Sequence, residues 1–134
     1  MLVITGGAGF IGSNLAKKAQ QNGWDVRILD DFSTSIQMVA EELESLGIEV
    51  IIGDIRDKSL VYSSLLNSTA VVHLAAQVSV PLSVENPEET MEINVQGTQN
   101  VIDSCLANGV SRLVVASSAA VYGQAEALPL KEEA

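Results

Sequence analysis

Apolar residues in this chain fall into short unbroken runs, separated by longer stretches in which they recur every three or four positions. The runs are Leu2 to Thr5, Val26 to Asp30, Ile48 to Ile52, Ala70 to Ala75 and Leu113 to Ala116. Segments such as Ala70-Val71-Val72 and Val114-Val115-Ala116 are continuous rather than alternating, as strands are when both faces of their sheet are covered. The intervening stretches predict helices. Ile11 to Asn22 places Leu15, Ala16 and Ala19 on one side and Lys17, Lys18 and Gln21 toward water. Ile36 to Leu46 gathers Met38, Val39, Leu43 and Leu46 near one face and stops at Gly47. Asp57 to Leu66 opens on a capping aspartate and turns Leu60, Val61 and Leu65 inward. Pro87 to Asn108 is the longest helix, with proline in its first turn and Gly109 past its end. The β–α alternation ends just after the fifth strand and predicts a doubly wound α/β parallel sheet with right-handed crossovers. His73, at the end of a buried strand, reads as a satisfied core histidine, and Trp24, Tyr62 and Cys105 read as packing residues.

The first strand runs into Thr5-Gly6-Gly7-Ala8-Gly9-Phe10-Ile11-Gly12, which opens the first helix. Its glycines fit two registers, Gly7-x-Gly9-x-x-Gly12 and Gly6-x-x-Gly9-x-x-Gly12. Either serves the same need: a tight turn, a backbone that a pyrophosphate can approach without a Cβ in the way, and close packing of helix on strand. The helix amides then bind the anion without a basic side chain. The second strand ends in Asp30, followed by Asp31, eighteen positions after Gly12. An acid there accepts both hydroxyls of an adenosine ribose and repels a 2′-phosphate. No arginine follows it, and Arg27 inside the strand points elsewhere. NAD is expected over NADP.

The chain has 134 residues, enough for one domain and not for a second of ordinary size. Its net charge of −10, from 17 acids against 7 bases, argues against a nucleic-acid partner. No apolar stretch approaches the roughly 20 residues that span a bilayer. Met1 leads directly into an apolar strand without a basic leader, so a cytoplasmic protein is expected. One Cys105 and one His73 make neither a disulfide nor a metal cage, and no metal site is expected.

Five blocks in order, TGGAGFIG, LDDFST, GDIRD, HLAAQ with the later NVQGT, and SSAAVYG, carry a resemblance across essentially the whole chain. The sequence resembles the N-terminal part of an extended short-chain dehydrogenase/reductase of the NAD-dependent epimerase/dehydratase group, which acts on nucleotide sugars. The resemblance implies a Rossmann-type domain over residues 1–134, cut before a sixth strand and a substrate domain. It assigns Gly6, Gly7, Gly9, Phe10, Ile11 and Gly12 to the cofactor turn, and Asp30 and Asp31 to the ribose. Asp54 would accept a hydrogen bond from the adenine amino group, with Ile55 supplying adjacent backbone and an apolar wall. Leu74, Ala75 and Ala76 would line the cofactor. Asn94 would bond across to the loop backbone and hold the site wall in register. Ser118 would be the catalytic serine.

The implied reaction removes hydride from C4 of a sugar, most closely as in a UDP-hexose 4-epimerase, and returns it to the opposite face. Dehydratases and decarboxylases of the group carry an acid-bearing segment after the serine; here Ala119 and Ala120 carry no proton. A dehydratase or reductase of the same group is the alternative, and a non-catalytic NAD-binding or interaction module is the alternative of another class. The group's Tyr-x-x-x-Lys pair is absent. Tyr62 and Tyr122 are followed four positions on by Leu66 and Glu126, and the chain ends at Ala134. The expectation is a fragment of a longer, homodimeric enzyme; the fragment alone is expected to bind NAD weakly, if at all, and not to turn over sugar.

Overall fold

The computed structural model describes residues 1–124 and 128–132. Five strands form one wholly parallel sheet in the order β3-β2-β1-β4-β5: β1 Leu2–Thr5, β2 Val26–Asp30, β3 Glu49–Ile52, β4 Ala70–His73 and β5 Arg112–Val115. Alternate residues of each run serve opposite faces, which is why the runs are continuous. Leu2, Ile4 and Ile28 face one way, with Ala16 and Ala19 of α1 (Phe10–Gln21) and Leu43 of α2 (Gln37–Ser45). Val3, Leu29 and Val71 face the other way, with Val61 of α3 (Lys58–Ser64) and Val101 and Cys105 of α6 (Thr98–Ala107). The central strands are therefore covered on both faces, as their runs require, while β3 and β5 at the margins are partly exposed.

Asp57 caps α3 by accepting from the Leu60 amide at 3.0 Å. Gly47 and Gly109 end α2 and α6 in the left-handed region. Four expectations change. The long helix is three pieces, α5 (Pro87–Met91), a π-helical segment (Glu92–Gly97) and α6. A short helix not expected from the sequence, α4 (Val80–Glu85), precedes them. On α2, Ala40 rather than Met38 or Leu46 joins Leu43 in the core, because Met38 and Leu46 lie off the sheet-facing stripe. Trp24 and Tyr62 stand nearly half exposed, Trp24 in the turn before β2 and Tyr62 on the outer side of α3.

Because β2 and β4 flank β1 on opposite sides, the chain leaves the sheet in opposite directions after β1 and β4. Loops diverging at such a switch point open a crevice at the carboxyl ends of the strands. The residues singled out in the first turn and after β2 and β4 converge there.

Candidate functional site

The β1–α1 turn is built by three glycines that the fold itself demands. A Cβ on Gly6 would stand 2.7 Å from the Ala75 amide nitrogen, so the loops after β1 and β4 touch through backbone. A Cβ on Gly7 would overlap the Ile28 side chain, and one on Gly12 would overlap the Gly6 carbonyl oxygen. Gly9 differs. Its φ of −70° suits any residue, and the nearest atom to a Cβ there is the Gly6 oxygen, in ordinary contact at 3.4 Å. Among the described residues nothing requires Gly9 to lack a side chain; a ligand pressed against the turn would. Behind it, no side chain caps α1, and the first helical amide to find an acceptor is that of Ser13, bonded to the Gly9 carbonyl at 2.9 Å. The amide end of α1 is thus open to an anion. Phe10 and Ile11 flank it with largely exposed side chains.

Asp30 closes the other side of the turn. Its Oδ2 accepts from the Ala8 amide and its Oδ1 from the Phe32 amide, both at 2.9 Å. One carboxylate thereby holds the glycine turn and fixes Phe32 in its left-handed conformation (φ 56°). Asp31 instead folds onto Ser33, accepting from its amide and its hydroxyl, and stays exposed. Arg27 reaches away, bonding Glu49 at 2.7 Å and the Ser64 and Leu66 carbonyls. Among the described residues no basic side chain bonds Asp30.

After β3, the Asp54 carboxylate is gripped by the Arg56 guanidinium, with Nη2 to Oδ2 at 2.6 Å and Nε to Oδ2 at 2.9 Å, and by the Arg56 amide at 2.8 Å. That pairing holds the Asp54 carboxyl below the usual carboxylate range and raises the guanidinium's affinity for its proton. The Ile55 side chain is buried and fills the gap that Gly97 leaves on the π-helical segment, so it is the Ile55 backbone that faces the crevice margin. Asn100, buried on α6, donates to the Ile55 and Arg56 carbonyls and anchors this loop.

After β4, Thr5 is the hub that sequence reasoning missed. Its hydroxyl oxygen accepts from the Leu74 and Ala75 amides at 3.2 and 3.3 Å, and its proton is directed to His73 Nδ1 at 2.6 Å. His73 Nε2 then donates to the Thr98 hydroxyl at 2.9 Å, which donates onward to the Asn94 carbonyl at 2.7 Å. His73 is 3% exposed, and burial pushes its pKa down, which suits this neutral tautomer. The core reading of His73 holds. Leu74 and Ala75 are half-buried and Ala76 is exposed at the mouth. Asn94 pairs with the Gln77 backbone in both directions, at 2.8 and 3.0 Å, the bond across to the loop that was expected. Ser118 lies beyond β5, exposed, and caps the short turn Ala119–Tyr122 by accepting from the Ala120 amide at 3.2 Å. Glu126 lies outside the described residues. A polar residue on the buried face of an apolar helix is the signal that could have found Asn100; Arg56 carried only its place beside Asp54.

The crevice therefore offers an uncapped helix end behind a turn without a Cβ at Gly9, an acid at the end of β2, and a second acid after β3. The chain matches the NAD dependent epimerase/dehydratase family model over residues 2–134. It is 40% identical over 98% of its length to a putative UDP-glucose 4-epimerase of Methanocaldococcus jannaschii, of which it covers 43%. It is 37% identical over 91% of its length to a UDP-N-acetyl-alpha-D-glucosaminuronate decarboxylase of Bacillus cytotoxicus, of which it covers 37%. The crystal structure of UDP-glucose-4-epimerase from Stenotrophomonas maltophila, with bound NAD and formylated UDP-arabinopyranose, superposes with a TM-score of 0.90 at 33% identity, over 99% of this chain and 41% of that one. The chain thus spans about two fifths of the length of these relatives, and it belongs to the NAD-dependent epimerase/dehydratase family.

Proposed function

We propose that this chain is the NAD-holding part of a nucleotide-sugar epimerase that acts on a UDP-hexose at C4. The observation that carries the cofactor assignment is Gly9, a glycine without an internal reason, set before an uncapped helix end. The residues fit the dinucleotide throughout. The amides at the start of α1 would take the pyrophosphate. Asp30, already accepting from Ala8 and Phe32, keeps lone pairs for ribose hydroxyls and opposes a 2′-phosphate. Asp54 and the Ile55 backbone would meet the adenine edge, and Leu74, Ala75 and Ala76 the far ribose. The dinucleotide supplies reversible hydride transfer at the sugar carbon.

In this reading Ser118 orients the sugar hydroxyl at the reacting carbon and stabilises charge developing on its oxygen. The substrate's proton must leave to a base, and no tyrosine of these 134 residues has a lysine four positions later. This chain is therefore a cofactor module without turnover, and the base belongs to the larger enzyme. Epimerisation is favoured over loss of water or carboxylate because Ala119 and Ala120 offer no acid after the serine. The parent enzyme is proposed to pair as a homodimer through the helices after β4, where Val80, Val84, Met91 and Val95 are exposed.

The test is a titration with NADH and NADPH, followed by the nucleotide's own fluorescence. Trp24 is a poor reporter, since it sits at the end of β2 opposite Asp30. Saturable binding of NADH, with NADPH weaker by about tenfold or more, is expected, together with no interconversion of UDP-glucose and UDP-galactose. Failure of NADH to saturate, or equal binding of NADPH, overturns the cofactor assignment; turnover by the chain alone overturns the module.

A further inference from the structure

At the crevice margin Arg56 ties the loop after β3 to α5, the π-helical segment and α6, and its contacts are arranged more as a brace than as a stabilising pair. Its Nε and Nη2 fork across the Asp54 carboxylate, and its amide fixes Oδ1 from the backbone. Its Nη1 points the opposite way, to Glu89 of α5 at 3.5 Å and Glu92 at the start of the π-helical segment at 3.6 Å. Its carbonyl is held by Asn100 of α6 at 3.1 Å. The Arg56 and Asp54 side chains are about one-third exposed, and ion pairs this wet add little to folding stability. The contacts do fix direction, because Nη2 holds Oδ2, the Arg56 amide holds Oδ1 and Nε is shared between them, so the carboxylate cannot turn without breaking one. Three carboxylates converge on this single cation in a chain of net charge −10. Without it they would repel, and Asp54 would turn toward water.

We propose that Arg56 is the positioning residue for adenine recognition: it holds the Asp54 carboxylate in one orientation as an acceptor for a purine 6-amino group, and so sets the preference for adenine over a 6-oxo purine. The proposal rests on the NAD reading and deepens it. An amino group donates to the fixed carboxylate. A 6-oxo group presents lone pairs to lone pairs, and a freely turning Asp54 would escape that repulsion. Lysine at this position keeps the charge and loses the fork.

The experiment compares NADH with its hypoxanthine analogue, in which a carbonyl replaces the 6-amino group, on the 134-residue chain and on Arg56→Met and Arg56→Lys. The unaltered chain is expected to prefer NADH by about tenfold. Arg56→Met should bring the two affinities within about twofold while still binding both through the glycine turn, and Arg56→Lys should lose most of the preference. Should Arg56→Met fail to fold, as judged by circular dichroism, Arg56→Lys alone decides. A merely structural role would weaken both nucleotides by one factor and keep their ratio, and that result overturns the proposal. Equal binding of both by the unaltered chain overturns it together with the Asp54 assignment and leaves the glycine turn standing. Binding of neither sinks the NAD reading itself.

Discussion

Replacing Gly9 with alanine adds a methyl group whose nearest neighbour is 3.4 Å away, at a backbone conformation alanine adopts freely. The fold should tolerate it and gain up to about 1 kcal/mol from a less flexible unfolded chain. NADH affinity should nevertheless fall by about tenfold or more, because the methyl occupies the face where the pyrophosphate would press. Gly7→Ala is the opposite case. Its methyl must displace the Ile28 side chain and should cost about 1–3 kcal/mol. Urea unfolding and nucleotide titration of the two variants separate a glycine kept for the ligand from one kept for the fold. The spacing of the four glycines was plain in the sequence, but their division of labour was not, since it depends on what stands opposite each one. Asp30 is a similar case. Its place at the end of β2 was legible, whereas its grip on the Ala8 and Phe32 amides depends on the folding of two loops.

At the scale of elements, the relay from Thr5 through His73 to Thr98 joins β1, β4 and α6 by hydrogen bonds of fixed direction. Burial holds the folded-state pKa of His73 below its ordinary 6.5. The unfolded chain therefore takes up a proton as pH falls past about 6.5 while the folded chain does not. The stability His73 contributes is complete above that pH and is lost progressively toward the depressed folded value. Urea midpoints should fall between about pH 7.5 and about pH 5.5, and His73→Gln should flatten that part of the profile. The carboxylate of Asp54, held below 3.8 by Arg56, acts in a separate and more acidic window. All five strands were legible as apolar runs: β1, β2 and β4 are buried from both faces, and β3 and β5 carry the same mark although partly exposed. The π-helical segment was not, since a widened turn keeps a helical rhythm in sequence and shows itself only in which amide meets which carbonyl. Nor was α4, where Val80, Leu82 and Val84, with Val78 just ahead of the helix, alternate as in a strand and are all exposed. Met38 and Leu46 misled for a related reason: on a helix as short as α2, a shift of one position moves the buried stripe onto Ala40.

For the whole molecule, β5 forms one margin of the sheet, and Val114 and Val115 are 49% and 46% exposed there. An open apolar strand of this kind invites a second chain, while a net charge of −10 opposes it. Salt screens the repulsion and leaves the apolar attraction in place. Sedimentation of the chain should therefore show self-association that grows with ionic strength, and Val114→Lys with Val115→Lys should abolish it. At the mouth of the crevice, the contact of Gly6 with Ala75 has a different consequence. It is main chain against main chain, so the gap between the two loops is set like a gauge block rather than by adjustable jaws. Side chains around it can drift without altering the width, whereas a Cβ at Gly6 itself would wedge the loops apart. As long as Gly6 and the two loop lengths are kept, the opening can be inherited unchanged while the residues around it diverge.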